Sequence, residues 1–179
     1  MNHRLQPALR LTLLLATSLL LTSCAAYNGT GLQPGQASIQ DTVKLMGQPA
    51  MRWKNPDQTE QLAFPRGPFG LHTYMAYFSA GGTLQKLENV LDPQIFARIK
   101  PGMTQAEVLR LLGPSDPHAT AYFKARDELV WEWRYCDDWK QSARFDVLFD
   151  NSKGTVRSTQ SIEENLLGYC SYGGCICSR

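Results

Sequence analysis

Ile99-Lys100-Pro101-Gly102-Met103-Thr104-Gln105-Ala106-Glu107-Val108-Leu109-Arg110-Leu111-Leu112-Gly113-Pro114 decides how the rest of the chain is read. A short helix over 93–99, opened by Pro93 at an early helical position, ends before Gly102. Thr104 is placed to cap a second helix, and Glu107, three residues on, completes a capping box. Val108, Leu111 and Leu112 fall on one helical face. Gly113 suits a C-cap and Pro114 forbids continuation. The stretch is therefore helix, tight turn, helix.

Strands follow it. Leu129, Trp131, Trp133 and Tyr135 alternate with Glu128, Val130, Glu132 and Arg134, which predicts a strand with one buried face. Phe145, Val147 and Phe149 alternate with Arg144, Asp146, Leu148 and Asp150 in the same way. Asp150-Asn151-Ser152-Lys153-Gly154 has hairpin chemistry, so 155–162 is the returning strand. Residues 118–124 are a further strand with weaker alternation. Trp131 and Trp133 read as core rather than as a ligand platform, because they lie in step with Leu129 and Tyr135. The expected unit is α+β: short helices on an antiparallel meander of three or four strands.

The landmarks of this unit occur twice. Gly31-Leu32-Gln33-Pro34-Gly35 and Leu45-Met46-Gly47-Gln48-Pro49 match Arg98-Ile99-Lys100-Pro101-Gly102 and Leu111-Leu112-Gly113-Pro114. Phe78-Ser79-Ala80-Gly81-Gly82-Thr83-Leu84 matches Phe149 through Val156. Order and a spacing of roughly 70 residues are kept, which predicts two copies of one module. In the first copy Ile39, Val43 and Met46 share a helical face, the preceding helix is missing, and strands are expected over 50–54, 60–64, 72–79 and 83–90. Between the middle two lies Pro65-Arg66-Gly67-Pro68-Phe69-Gly70, a stiff loop whose Phe69 either contacts a partner or folds back on the sheet.

The N-terminus carries a different signal. Arg4 and Arg10 precede an apolar run, Leu11 to Leu21, and no acid occurs in 1–23. The run is shorter than the ~20 residues a membrane span needs. Leu21-Thr22-Ser23-Cys24 resembles the bacterial lipobox. That resemblance implies cleavage before Cys24, a thioether-linked diacylglycerol on Cys24, and an acylated amino terminus. With Ala25 rather than Asp after the cysteine, it implies an outer-membrane address. A mobile tether over 24–36 would follow.

Composition narrows the function. The whole chain has 18 Lys and Arg against 16 Asp and Glu; the signal contains two of the Arg, so the mature chain is balanced at 16 of each. A neutral chain argues against nucleic acid as partner. Removing Cys24 from the count leaves Cys136, Cys170, Cys175 and Cys177, which read as two disulfides in an oxidising compartment. The meander brings the tail back to Cys136, so a bridge from it to a tail cysteine is expected, with a lean to Cys170. A thiolate metal site is the rival, but the spacing lacks paired Cys-x-x-Cys. His72 and His118 belong to no catalytic motif, Asp137-Asp138 and Glu163-Glu164 read as solvated pairs, and no phosphate loop is present. No enzyme activity, metal or cofactor is expected.

The run from Ile99 to Pro114 resembles the opening of the BamE/SmpA/OmlA lipoproteins: Ile-x-x-Gly-Met-Thr, then Val, then Leu-Gly-x-Pro. A Phe-x-x-x-x-Gly hairpin at Phe149, its one-residue-shorter counterpart from Phe78 to Leu84, and Pro68-Phe69-Gly70 before Thr73-Tyr74 fit the same pattern. The resemblance spans roughly 32–163. β-Lactamase-inhibitor-like proteins share the module and also occur in tandem. Together with the lipobox-like start and the repeated landmarks, the resemblance implies a signal peptide over 1–23, a tether over 24–36, a degenerate module over 37–92, a second over 93–165 and a cysteine-rich tail over 166–179. It further implies a non-enzymatic, lipid-anchored protein facing the periplasm that binds envelope proteins, with the β-barrel assembly machinery as the family's partner and Phe69 as a contact. The alternative is an inhibitor docking such a loop into a periplasmic or foreign enzyme; a third class is a thiol or metal sensor on the tail.

Overall fold

A computed structural model describes residues 28–66, 70–170 and 176–177. Cys24, Phe69 and Cys175 lie outside the described residues, as does the whole of 1–23. The elements run α1 (Ile39–Met46), β1 (Met51–Lys54), β2 (Glu60–Pro65), β3 (Thr73–Phe78), β4 (Leu84–Asn89), α2 (Pro93–Phe96), α3 (Gln105–Leu112), β5 (Ala121–Phe123), β6 (Glu128–Cys136), β7 (Ser142–Asp150) and β8 (Thr155–Glu163). A 3-10 turn, Lys124–Arg126, cuts short the strand expected over 118–124. The α+β class holds: two four-stranded antiparallel sheets, β1-β2-β3-β4 and β5-β6-β7-β8, each in sequential order.

The same local chemistry builds both halves. Ser38 caps α1 and Asp41 returns to it; Thr104 caps α3 and Glu107 returns to it. Each helix stops at a glycine of positive φ, Gly47 and Gly113. Each helix start is stitched to the last strand of its sheet by matching bonds. Gly35 donates to Leu84 O and Leu84 to Ala37 O; Gly102 donates to Val156 O and Val156 to Met103 O. Residues 28–36, expected as tether, therefore reach the folded sheet before residue 37, and Leu32 packs against the first core.

The stacking of these halves was not visible in the sequence. α1 covers one face of the first sheet, burying Leu62, Phe64, Ala76, Phe78 and Leu84. The opposite face, with Ala63, Met75 and Val90, meets Ile95 of α2. Arg110 of α3 adds a bond to Asn55, its carbonyl accepts from Gln61 Nε2, and its guanidinium sits over Trp53. On their other side α2 and α3 bury Phe96, Val108 and Leu112 against Trp133, Tyr135, Phe145, Val147 and Phe149. One helical layer thus serves both sheets. Trp133 is 3% exposed and Trp131 packs edge-on to Phe149, in keeping with the core reading.

Candidate functional site

The outer face of the second sheet carries paired like charges. The register sets Arg134 directly opposite Arg144, and Glu132 directly opposite Asp146. Like charges in such positions repel across ~5 Å. The arginine row is neutralised by Glu164, which the chain delivers just after β8. Arg134 grips it through Nε at 2.5 Å and a second nitrogen at 2.6 Å; Arg144 Nε adds 3.0 Å and Ser142 Oγ 2.8 Å. Glu164 is only 2% exposed, which corrects its expected place in a solvated acid pair. Burial alone would raise its pKa; the bonds from Arg134 and Ser142 and both positive charges outweigh that and hold it below the usual carboxylate range. The signal in the sequence was the pair of arginines on one outward face, which require an acid between them.

The acidic row is less well served. Arg144 reaches Glu132 at 2.5 Å and Gln160 donates to Asp146 Oδ2 at 2.8 Å, but Asp146 Oδ1 is buried with no partner among the described residues. Burial raises the pKa of both carboxyls, and Asp146 raises that of Glu132 further. Asp146→Asn should therefore stabilise the protein by about 1 kcal/mol near neutral pH, by removing a desolvated charge. A folded-state pKa above the unfolded one means that protonation favours the fold. The wild type thus recovers this deficit as pH falls, and the advantage of Asn should vanish below about pH 4. Melting curves at pH 8 and pH 4 check this; a lower melting temperature for Asp146→Asn at pH 8 would refute it.

The C-terminal tail is fastened beside this network. Cys136 bridges Cys177, with Cα atoms 6.0 Å apart and a separation of 41 residues. This corrects the lean to Cys170. The tail crosses to the β6–β7 hairpin, where Ile176 pairs with Gln141 and Cys177 N donates to Lys140 O, so Cys177 faces Cys136. Cys170 is itself disulfide-bonded. A loop of this size adds about 2–4 kcal/mol of stability. The Tyr169 ring lies 4.6 Å from the Arg144 guanidinium, a further tie.

On this fixed base stand apolar side chains that the described residues leave largely exposed. Trp139, in the hairpin tip, is 83% exposed, Leu166 is 76% exposed, and Leu167, Tyr169 and Ile176 are exposed beside them. All five come from the hairpin after Cys136 or the segment after Glu163, which meet at the same end of the sheet. An exposed apolar cluster that includes a Trp and a Tyr is consistent with an interface. Its polar neighbours, Asp137, Asp138, Lys140 and Glu163, are predominantly acidic. Trp139 and the Leu166–Leu167 pair carry no periodicity, so no pattern in the sequence marks them.

A cleft of about 330 Å³ lies between the halves, lined by Pro65, Leu91, Pro114, Asp116, His118 and Trp133 among others. The Trp133 indole N–H is buried without a partner among the described residues. His72 is elsewhere, stacked on Tyr74, with burial and then Arg66 lowering its pKa. Among the described residues neither imidazole bonds to a carboxylate or nucleophile through its side chain, and no three metal-ligating side chains converge. No helix among them is long and apolar enough to cross a membrane. Comparison with known proteins finds no matching family, no matching curated protein and no matching solved structure.

Proposed function

We propose that this chain is a non-enzymatic, lipid-anchored protein-binding scaffold, built from two BamE-like units and held by Cys24 at the periplasmic side of the outer membrane. The observation that carries the reading is the exposed apolar end of the second sheet. Trp139, Leu166, Leu167, Tyr169 and Ile176 sit on a base made rigid by the Cys136–Cys177 bridge and the Glu164 network. Rigid aromatic anchors lose little entropy on binding and dominate interface energies. The lipobox-like Leu21-Thr22-Ser23-Cys24 and the repeated capping and stitching pattern support the anchor and the tandem units.

A photo-crosslinking residue in place of Trp139, in the full chain in cells, is expected to capture a distinct envelope protein. Subunits of the barrel-assembly machinery support an assembly role; a single hydrolase supports the inhibitor reading instead. Cys24→Ser is expected to abolish fatty-acid labelling and release the chain from the membrane fraction. An unlabelled wild type, or no protein adduct from position 139, would overturn the proposal.

A further inference from the structure

Sheet edges are where chains add to one another, and proteins ordinarily guard them. Three of the four edges here are guarded. β1 has four residues, two of them Arg52 and Lys54. β4 is covered at Leu84 by the 35–37 segment, carries the charged Lys86 and Glu88 beyond it, and Gly29 packs against Leu87. β5 has three residues, and beyond it Asp116 N already donates to Glu132 O. β8 differs. It is nine residues long, is the last strand of its sheet, and is exposed continuously over 157–161.

Its backbone polarity follows from its bonds. Glu164 N donates to Ser142 O, so in the alternation of an antiparallel ladder Ile162, Gln160 and Ser158 turn toward β7. Thr159, Ser161 and Glu163 then turn their N–H and C=O groups outward. At the start of the strand the outward position is Val156, and the Gly102–Met103 segment already takes both its groups. The register shift next to it leaves Arg157 as the extra residue, and the edge left uncovered by the described residues begins after it. From 158 to 162 it has no charge and no proline. It runs directly into Leu166 and Leu167.

We infer that β8 accepts an extended segment of another polypeptide as a fifth strand of the second sheet. That segment hydrogen-bonds to Thr159, Ser161 and Glu163 and places an apolar side chain over Leu166 and Leu167. This rests on the protein-binding reading above and specifies its mode. Extended backbone is the occupant that matches alternating outward donors and acceptors. A second copy of this chain matches less well: an antiparallel β8–β8 pair about Gln160 sets Leu166 against the Gly154 hairpin and leaves both apolar ends uncovered.

The test uses the full lipidated chain in cells, with photo-crosslinkers at Gln160 and, separately, at Trp139. Both should capture the same protein, and the peptide linked at Gln160 should be one extended segment. Ser161→Pro deletes an outward N–H while sparing the β7 ladder. It should cut the yield at both positions about tenfold, the loss of one to two backbone hydrogen bonds, with an unchanged melting temperature. Should Ser161→Pro unfold, Ser161→Lys, which guards the edge by charge, carries the same expectation. Adducts at Trp139 alone, insensitive to both variants, overturn strand addition and leave the protein-binding reading standing. Adducts with a second copy of the chain also overturn it, and no protein adduct at either position overturns both.

Discussion

Glu164→Ala is expected to cost about 3 kcal/mol, the penalty for breaking a buried ion cluster from one side, and to lower the melting temperature by roughly 10 °C. The substitution leaves Arg134 and Arg144 facing each other across adjacent strands without the carboxylate that both hold. It also removes the acceptor of Ser142 Oγ. Glu164→Gln should cost less, since an amide oxygen still accepts from one donor. The sign of the pH effect follows from a pKa lower in the folded chain than in the unfolded one. The unfolded chain then takes up the proton first, so the stabilisation is complete well above pH ~4.3 and drains as pH falls below it. The difference between wild type and Glu164→Ala should thus shrink in acid, and a variant that melts with the wild type at pH 7 would show that the cluster contributes nothing. The tail should loosen with it, because the carboxylate ties residue 164, whose carbonyl accepts from Leu167 N and Tyr169 N, to Arg134, Arg144 and Ser142.

Gly113→Ala is expected to destabilise by about 4 kcal/mol, and Gly47→Ala by about half as much. The two glycines end equivalent helices in nearly the same conformation, φ 74° and ψ −169° for Gly113, φ 86° and ψ −171° for Gly47. That region is almost closed to residues with a Cβ, so both substitutions carry the same backbone cost. Only Gly113 adds a collision. A Cβ there would stand 2.9 Å from Thr73 Cγ2 and 3.3 Å from Ala63 Cβ, both on the first sheet, whereas at Gly47 nothing lies within 4 Å. The difference between the two variants, measured by denaturant unfolding, isolates the contact between the halves. Equal losses would mean that the halves do not meet as closely at Gly113 as this packing requires.

Much of the fold was legible because its causes are local. Thr104 and Glu107 define a helix start wherever they stand before an apolar face, and the alternation through Trp133 or Phe145 defines a buried strand face without reference to anything distant. The cysteine framework was legible only by half. A meander returns its tail to the Cys136 end, but which tail cysteine arrives there depends on how the chain crosses the hairpin, and Cys177 does. Glu164 departs from the solvated pair for the same reason: its neighbour Glu163 is exposed, and only the approach of two other strands separates their fates.

The sequence by itself determined the helix starts, the glycine stops of α1 and α3, the strand faces and the repeated order of landmarks, since each depends on residues a few positions apart, whereas the helix expected over 93–99 ends at Phe96. Tertiary structure alone decided that one helical layer is shared by two sheets, that two opposed arginines close on a single buried glutamate, and that Trp139 and the Leu166–Leu167 pair gather at one end left exposed among the described residues. Those outcomes depend on register and on the meeting of segments about 20 to 50 residues apart, and no pattern within a segment encodes where another segment will lie.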